Sequence, residues 1–293
     1  MHFLRGLASL MFIVLNTLLW CVPLYLMGLV HLLFRGRLRH AVGQRMDAIV
    51  QAWVAGNRLI FQALRVTRVK AEWDNDCDLS RRCWYLVLSN HQSWADILIL
   101  QNTLLGRIPM LKFFAKRELI WVPVAGIAMW LLGFPYVRRL SPEQLAADPS
   151  LTELDRRSTL DACARFRDHP GTVLSFLEGS RFSAAKRAAQ AGRFEHLLNP
   201  KLGGVSYVVD ALKDKIHKVL DVTIVYRGTV PSFWQLLQGR CPHVDVLVRC
   251  LELPSAVTEA RDAAEVRERL RPWIESLWQD KDLRLGRSPS LAN

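Results

Sequence analysis

From residue 6 to residue 34 the chain carries no Asp, Glu, Lys or Arg. That run exceeds the roughly 20 residues that cross a bilayer. Pro23 and Gly28 interrupt it, so it reads either as one kinked span or as a bent helix pair dipping into one leaflet. A cleaved signal peptide fits poorly, because its apolar core runs about 7–15 residues. Only Arg5 precedes the run, whereas Arg35, Arg37, Arg39 and Arg45 follow it. Positive charge stays on the cytoplasmic side. In either arrangement the rest of the chain is expected at the cytoplasmic face of an inner membrane.

The charge distribution supports a lipid-facing N-terminus. The net charge is +12 over 293 residues, and thirty of the 39 basic residues are Arg. Residues 1–70 hold nine basic side chains against Asp47 alone. A basic collar beside an apolar run points to anionic headgroups before nucleic acid. No zinc-finger spacing, RNA-recognition aromatic motif or basic zipper accompanies the charge. The six cysteines show no C-x-x-C pair and no His-paired metal spacing, so they read as reduced structural thiols without a metal. Ten Trp residues suit a protein that meets a membrane–water boundary.

Behind the anchor the pattern changes. Met46, Ile49, Val50, Trp53, Val54, Leu59, Ile60 and Leu64 recur at helical spacing among Arg45, Arg58 and Arg65. This predicts an amphipathic helix over 41–70, lying on a membrane or on a domain surface. Short apolar runs at 84–88, 110–115, 133–137, 172–177, 221–226 and 244–251 read as strands. Helices are expected from Ser93, as a capping box, to about 105, from 152 with Leu160, Cys163 and Phe166 on one face, over 203–212, and over 258–280 with a break near Pro272. Residues 119–134, again uncharged, are short for a span and read as a core or interfacial helix. Strands alternating with helices predict a single α/β domain with a mixed central sheet flanked by helices. The expected organisation is an anchor at 1–40, a connecting helix at 41–75, the α/β domain at 76–284 and a disordered tail at 285–293.

Chemistry concentrates in two loops. Asn90, His91, Gln92, Ser93, Trp94, Ala95 and Asp96 follow the first strand of the α/β region, where open α/β folds place ligands. Five residues on a continuous helix turn the side chains about 140° apart. With His91 in the loop and the helix opening behind it, Asp96 folds back under the imidazole. The carboxylate then fixes the tautomer and leaves the other ring nitrogen to take a proton. No G-x-S-x-G elbow and no activated Ser or Cys is evident, so the nucleophile is read as a substrate hydroxyl. By itself this spacing also fits a capping histidine and a capping-box aspartate. The second loop, Glu178, Gly179, Ser180 and Arg181, combines a flexible backbone, a hydroxyl and a guanidinium fork suited to phosphate.

Together the loops resemble the glycerolipid acyltransferase family, whose best-known members are the lysophosphatidic acid acyltransferases. Asn90, His91 and Asp96 match its Asn-His-x-x-x-x-Asp block. Phe176, Glu178, Gly179, Ser180 and Arg181 match its Phe-Pro-Glu-Gly-Thr-Arg block, with Leu177 for Pro and Ser180 for Thr. The stretch from Gly133 to Arg139, preceded by Lys112 and Lys116, is similar to a second block. Residues 200–204 and 221–226 are similar to the branch that includes lysocardiolipin-type enzymes. The resemblance covers about residues 80–230. It implies a membrane-bound enzyme that moves an acyl group from acyl-CoA or acyl-ACP, a cosubstrate and not a bound cofactor, to a lysophospholipid. His91 would be the base and Asp96 its orienter. Glu178, Gly179, Ser180, Arg181 and Arg139 would hold the acceptor phosphate, and Lys116 would serve the oxyanion or the acyl donor. The leading acceptor is 1-acylglycerol 3-phosphate, with lysophosphatidylglycerol and lysocardiolipin as alternatives. A thioesterase or lipase, or a non-catalytic membrane-binding module, are readings of other classes. All of this requires the two loops to meet at one cleft.

Overall fold

A computed structural model describes residues 1–34, 36–74, 77–134, 136–137, 157, 159–161, 163–164, 167, 169–190 and 192–287. Two long helices come first, α1 (His2–Leu33) and α2 (Gly36–Ala63), followed by β1 (Arg68–Trp73) and β2 (Trp84–Ser89). Next come α3 (Asp96–Leu104), β3 (Leu111–Phe113), β4 (Ala115–Lys116), a 3-10 turn (Arg117–Trp121), α4 (Ala125–Leu131), β5 (Tyr136–Val137) and β6 (Thr172–Phe176). The C-terminal part holds α5 (Ala184–Ala189), α6 (Gly203–Leu212), β7 (Ile216–Tyr226), α7 (Phe233–Leu237), β8 (His243–Leu251), α8 (Ser255–Thr258) and α9 (Ala263–Gly286).

Six strands form one sheet in the order β1-β8-β7-β2-β6-β3, and β4 pairs with β5 alone. Every neighbour in the large sheet is parallel except β7 and β8. The expected mixed sheet between helices is therefore present. The central strand β2 is apolar throughout because both its faces are covered. Leu86 and Leu88 face a core built with Val205, Val208 and Val209 of α6 and Ile274 and Trp278 of α9. Tyr85 and Val87 face the other core, with Ile99 and Leu100 of α3 and Leu236 of α7.

Several expectations change. The helix over 41–70 stops at Ala63, and residues 68–73 join the sheet as its edge strand instead of closing a connecting helix. The break follows from Arg65, which adopts a left-handed φ of 49°. The uncharged run 119–134 is split into the 3-10 turn and α4 by Val124, held at φ 65°, whose carbonyl accepts a 2.6 Å bond from the Tyr25 hydroxyl. Helix α9 passes through Pro272 without ending and runs to Gly286. Asp262 caps it, accepting from the N–H groups of Ala264 and Glu265 at 2.9 Å. Leu285, placed in a disordered tail, is buried because it continues the apolar stripe of Val266, Leu270, Ile274 and Trp278. Cys77 and Cys250, read as reduced thiols, form a disulfide: pairing of β1 with β8 brings their Cα atoms to 5.9 Å across 173 residues. Of the helix expected from 152, Leu160 and Cys163 are helical and Cys163 is buried; residues 152, 155 and 166 lie outside the described residues.

At 1.5 Å per residue, α1 is about 48 Å long, and it is docked at both ends on the same domain. His2 Nδ1 lies 2.9 Å from the Gln238 carbonyl, and Phe3 meets Trp234 edge to face. Near the other end Gly28 lies so close to Leu131 of α4 that an added Cβ would sit 2.6 Å from Leu131 Cδ1. Between them Asn16 donates to the Trp53 carbonyl and to Asn57 Oδ1 of α2, both at 2.9 Å. The outward face of α1 is apolar and exposed, from Leu4 through Leu15, Leu19 and Leu26 to Leu33. Trp121, Ile127 and Trp130 add exposed apolar surface beside it.

Candidate active site

Strands β2 and β6 are parallel neighbours with Ser89 opposite Phe176. Their following loops therefore leave the same edge of the sheet, and they clasp each other. His91 N–H donates to Glu178 Oε1 at 2.6 Å, and Phe182 N–H donates to the His91 carbonyl at 2.7 Å. The His91 ring stacks on Phe176 with centroids 4.0 Å apart. Asn90 ties the first loop to β7 with a two-way bond: its Nδ2 donates to the Ile224 carbonyl at 2.9 Å, and its Oδ1 accepts from Ile224 N–H at 2.8 Å.

Asp96 is fully buried at the first turn of α3. Its Oδ2 lies 2.8 Å from His91 Nδ1 and accepts from Gln92 N–H at 2.7 Å and Ser93 N–H at 2.9 Å. Its Oδ1 accepts from the Tyr226 hydroxyl at 2.5 Å. The expected capping box is half formed: the carboxylate reaches back to Ser93 N–H, but Ser93 Oγ donates to the Pro231 carbonyl at 2.6 Å. Burial, and then the Asp96 charge, hold the Tyr226 phenol well above its ordinary pKa, so it remains a donor. A carboxylate that only accepts, facing Nδ1, makes that nitrogen the protonated one. Nε2 then carries the lone pair, and among the described residues it has no hydrogen-bond partner. The side chain of His91 is 13% exposed, enough for a ligand to reach it.

Glu178 does not face a ligand. It is fully buried, and its two oxygens accept from His91 N–H and from Leu198 N–H at 2.6 and 3.0 Å. Burial pushes its carboxyl up to about 7, against the pull of those two N–H donors. Its work is to hold the loops together, not to touch a phosphate. Gly179 adopts φ 68°, a region where a side chain is strained, but its own N–H donates to the Phe176 carbonyl at 2.9 Å. The amides that remain open are the next two. Among the described residues, the N–H groups of Ser180 and Arg181 and the Ser180 hydroxyl make no hydrogen bond. Arg181 is exposed, with its guanidinium carbon 5.1 Å from the Trp94 ring centroid. Arg139 and the side chain of Lys116 lie outside the described residues.

Sequence reasoning missed Tyr226 and Trp94 as site residues. Tyr226 stands 130 positions from Asp96, and its one signal was a hydroxyl at the end of a strand after the apolar pair Ile224 and Val225.

The sequence model of the acyltransferase family matches residues 74–227, more than half of the chain. The chain belongs to the acyltransferase family. The chain is 28% identical over 211 residues to human 1-acyl-sn-glycerol-3-phosphate acyltransferase gamma, an alignment covering 67% of this chain and 51% of that protein. It is 27% identical over 210 residues to the human delta protein of the same name, with the same coverage. The chain thus spans about half the length of the curated relatives it matches. The crystal structure of the 1-acyl-sn-glycerophosphate (LPA) acyltransferase PlsC from Thermotoga maritima superposes on 98% of this chain, and on 100% of its own, with a TM-score of 0.58 at 16% identity. That likeness is one of fold.

Proposed function

We propose that the protein is a membrane-associated O-acyltransferase. It moves a fatty acyl group from an acyl thioester, of coenzyme A or of acyl carrier protein, to the free hydroxyl of a lysophospholipid. The proposed acceptor is 1-acylglycerol 3-phosphate, the compound named in its relatives. One observation carries the reading: an imidazole braced through Nδ1 by a buried carboxylate, with Nε2 free beside a loop of open amides and an exposed guanidinium.

In this mechanism His91 Nε2 takes the proton of the acceptor hydroxyl as its oxygen attacks the thioester carbonyl. Asp96 stabilises the imidazolium that forms. As the tetrahedral intermediate collapses, the carbon–sulfur bond breaks and the thiol leaves with the proton returned by His91. Arg181 and the amides of Ser180 and Arg181 hold the acceptor's phosphate, which places its glycerol hydroxyl against Nε2. Parts assigned to Arg139 and Lys116 rest on the sequence blocks alone.

The membrane reading follows from α1. A helix docked on one domain at both ends favours a hairpin with α2 whose apolar outer face enters one leaflet, over a span. The amphiphilic substrates then reach the site without leaving the lipid. Arg35, Arg37, Arg39 and Arg45, which follow α1 in the sequence, favour the cytoplasmic face.

The test is acyl transfer by the purified full chain, followed as thiol release with and without acceptor. His91→Ala is expected to lower kcat by about 10³. Turnover surviving in that variant would remove His91 as the base. Thiol release that ignores the acceptor would make the protein a thioesterase.

A further inference from the structure

The loop that carries Gly179 is approached by a third segment, residues 200–204. Lys201 N–H donates to the Leu177 carbonyl at 2.7 Å, which anchors its backbone directly beneath the turn. Its side chain then runs across Gly179. A Cβ added to that glycine would lie 3.0 Å from Lys201 Cδ and 3.6 Å from Nζ. The ammonium is thus held over the turn that presents the open N–H groups of Ser180 and Arg181.

Among the described residues that cation has no carboxylate partner. Glu178, the acid next to Gly179 in sequence, is buried with both oxygens committed to backbone N–H groups. Lys186 Nζ is turned to the Arg181 carbonyl at 3.0 Å and keeps its charge. Among the described residues neither Arg181 nor Lys201 pairs with a carboxylate. Arg181 and Lys201, both exposed, and two open amides therefore flank one turn, with the Lys186 ammonium beside it, a concentration of positive field suited to an anion. A phosphate monoester carries about −1.5 to −2 charges near neutral pH, while a diester carries one. A turn with more than one cation favours the first.

We infer that Lys201 is the second cation of the acceptor's phosphate site and selects a terminal phosphate monoester over a phosphodiester headgroup. This rests on the acyl-transfer reading above and extends it to acceptor choice. The ammonium acts as a point charge beside the forked guanidinium. A side chain at position 179 would also press on the Lys201 methylenes, besides the strain of φ 68°.

The experiment compares Lys201→Gln and Lys201→Arg with the unaltered full chain, using 1-acylglycerol 3-phosphate and lysophosphatidylglycerol as acceptors and one acyl-CoA as donor. Lys201→Gln is expected to raise KM for the monoester about tenfold. The diester KM, the donor KM and kcat should each move by less than about twofold, and Lys201→Arg should restore most of the loss. An equal rise for both acceptors, or none for the monoester, would overturn the assignment. A second arm needs no turnover: equilibrium binding of 1-acylglycerol 3-phosphate to His91→Ala, with and without Lys201→Gln. Undiminished binding in the double variant overturns the inference while leaving the acyl-transfer reading intact. Turnover in His91→Ala sinks that reading instead.

Discussion

Replacing Asp96 by Asn separates two things a carboxylate does for a histidine. In a serine-hydrolase triad the same change costs about 10⁴ in kcat, because the amide leaves the imidazole in the wrong tautomer. Here the outcome is expected to be milder, for a reason visible in the bonding. Oδ2 accepts from two backbone N–H groups, of Gln92 and Ser93, as well as facing His91 Nδ1. An amide nitrogen in that position would confront three donors. The Asn side chain is therefore compelled to keep its oxygen there and to turn its NH₂ toward Tyr226, whose hydroxyl rotates from donor to acceptor. The tautomer survives and only the charge is lost. A hydrogen bond to a charged group contributes about 1.5–3 kcal/mol against about 0.5–1.5 kcal/mol for a neutral one. A difference of about 1–2 kcal/mol lowers kcat about 5–30-fold. Asp96→Ala removes the orienter and strands two N–H groups and a buried phenol, so a loss of about 10³ or more is expected. The assay is steady-state acyl transfer with saturating donor and acceptor, with thermal melting as the control for folding. If Asp96→Asn is as inactive as Asp96→Ala while still folded, the backbone amides do not hold the tautomer. If Asp96→Ala is fully active, Asp96 is not the orienter.

Two more outcomes follow from the geometry. Glu178 has its carboxyl raised from 4.5 to about 7 by burial, so the folded chain binds a proton more tightly than the unfolded one. Its contribution is present in full below pH 4.5 and is lost as pH rises through about 7, a difference of about 3 kcal/mol; Glu178→Gln should melt with a shallower pH slope between 5 and 8, and an unchanged slope would reject the assignment. For α1, single cysteines introduced at Phe3 and at Phe34 should both react with a membrane-impermeant thiol reagent from the same side of sealed vesicles. Labelling from opposite sides would mean that the helix spans.

The pairing of His91 with Asp96 was legible because it is local. His91 and Asp96 lie on one loop and the helix turn after it, so spacing alone proposes their contact. The second loop was legible through its residue types, a glycine beside a hydroxyl and a guanidinium. What each member of that loop does was not legible. Glu178 reads as a polar ligand in sequence, yet it is buried and binds backbone from both loops. Gly179 reads as an amide donor, yet its N–H closes its own turn.

The amino-acid pattern alone determined the apolar N-terminal helix, most of the strands and the His91–Asp96 contact, since hydropathy period and short-range spacing are properties of neighbouring residues. Tertiary structure decided that β1 joins the sheet, that both ends of α1 dock on the same domain, and that Tyr226 and Lys201 reach the two loops from 130 and about 20 residues away. Those contacts are set by strand order and by which parallel strands share an edge. Side chains far apart in the chain meet there because the sheet brings their strand ends together, and no local pattern encodes that meeting.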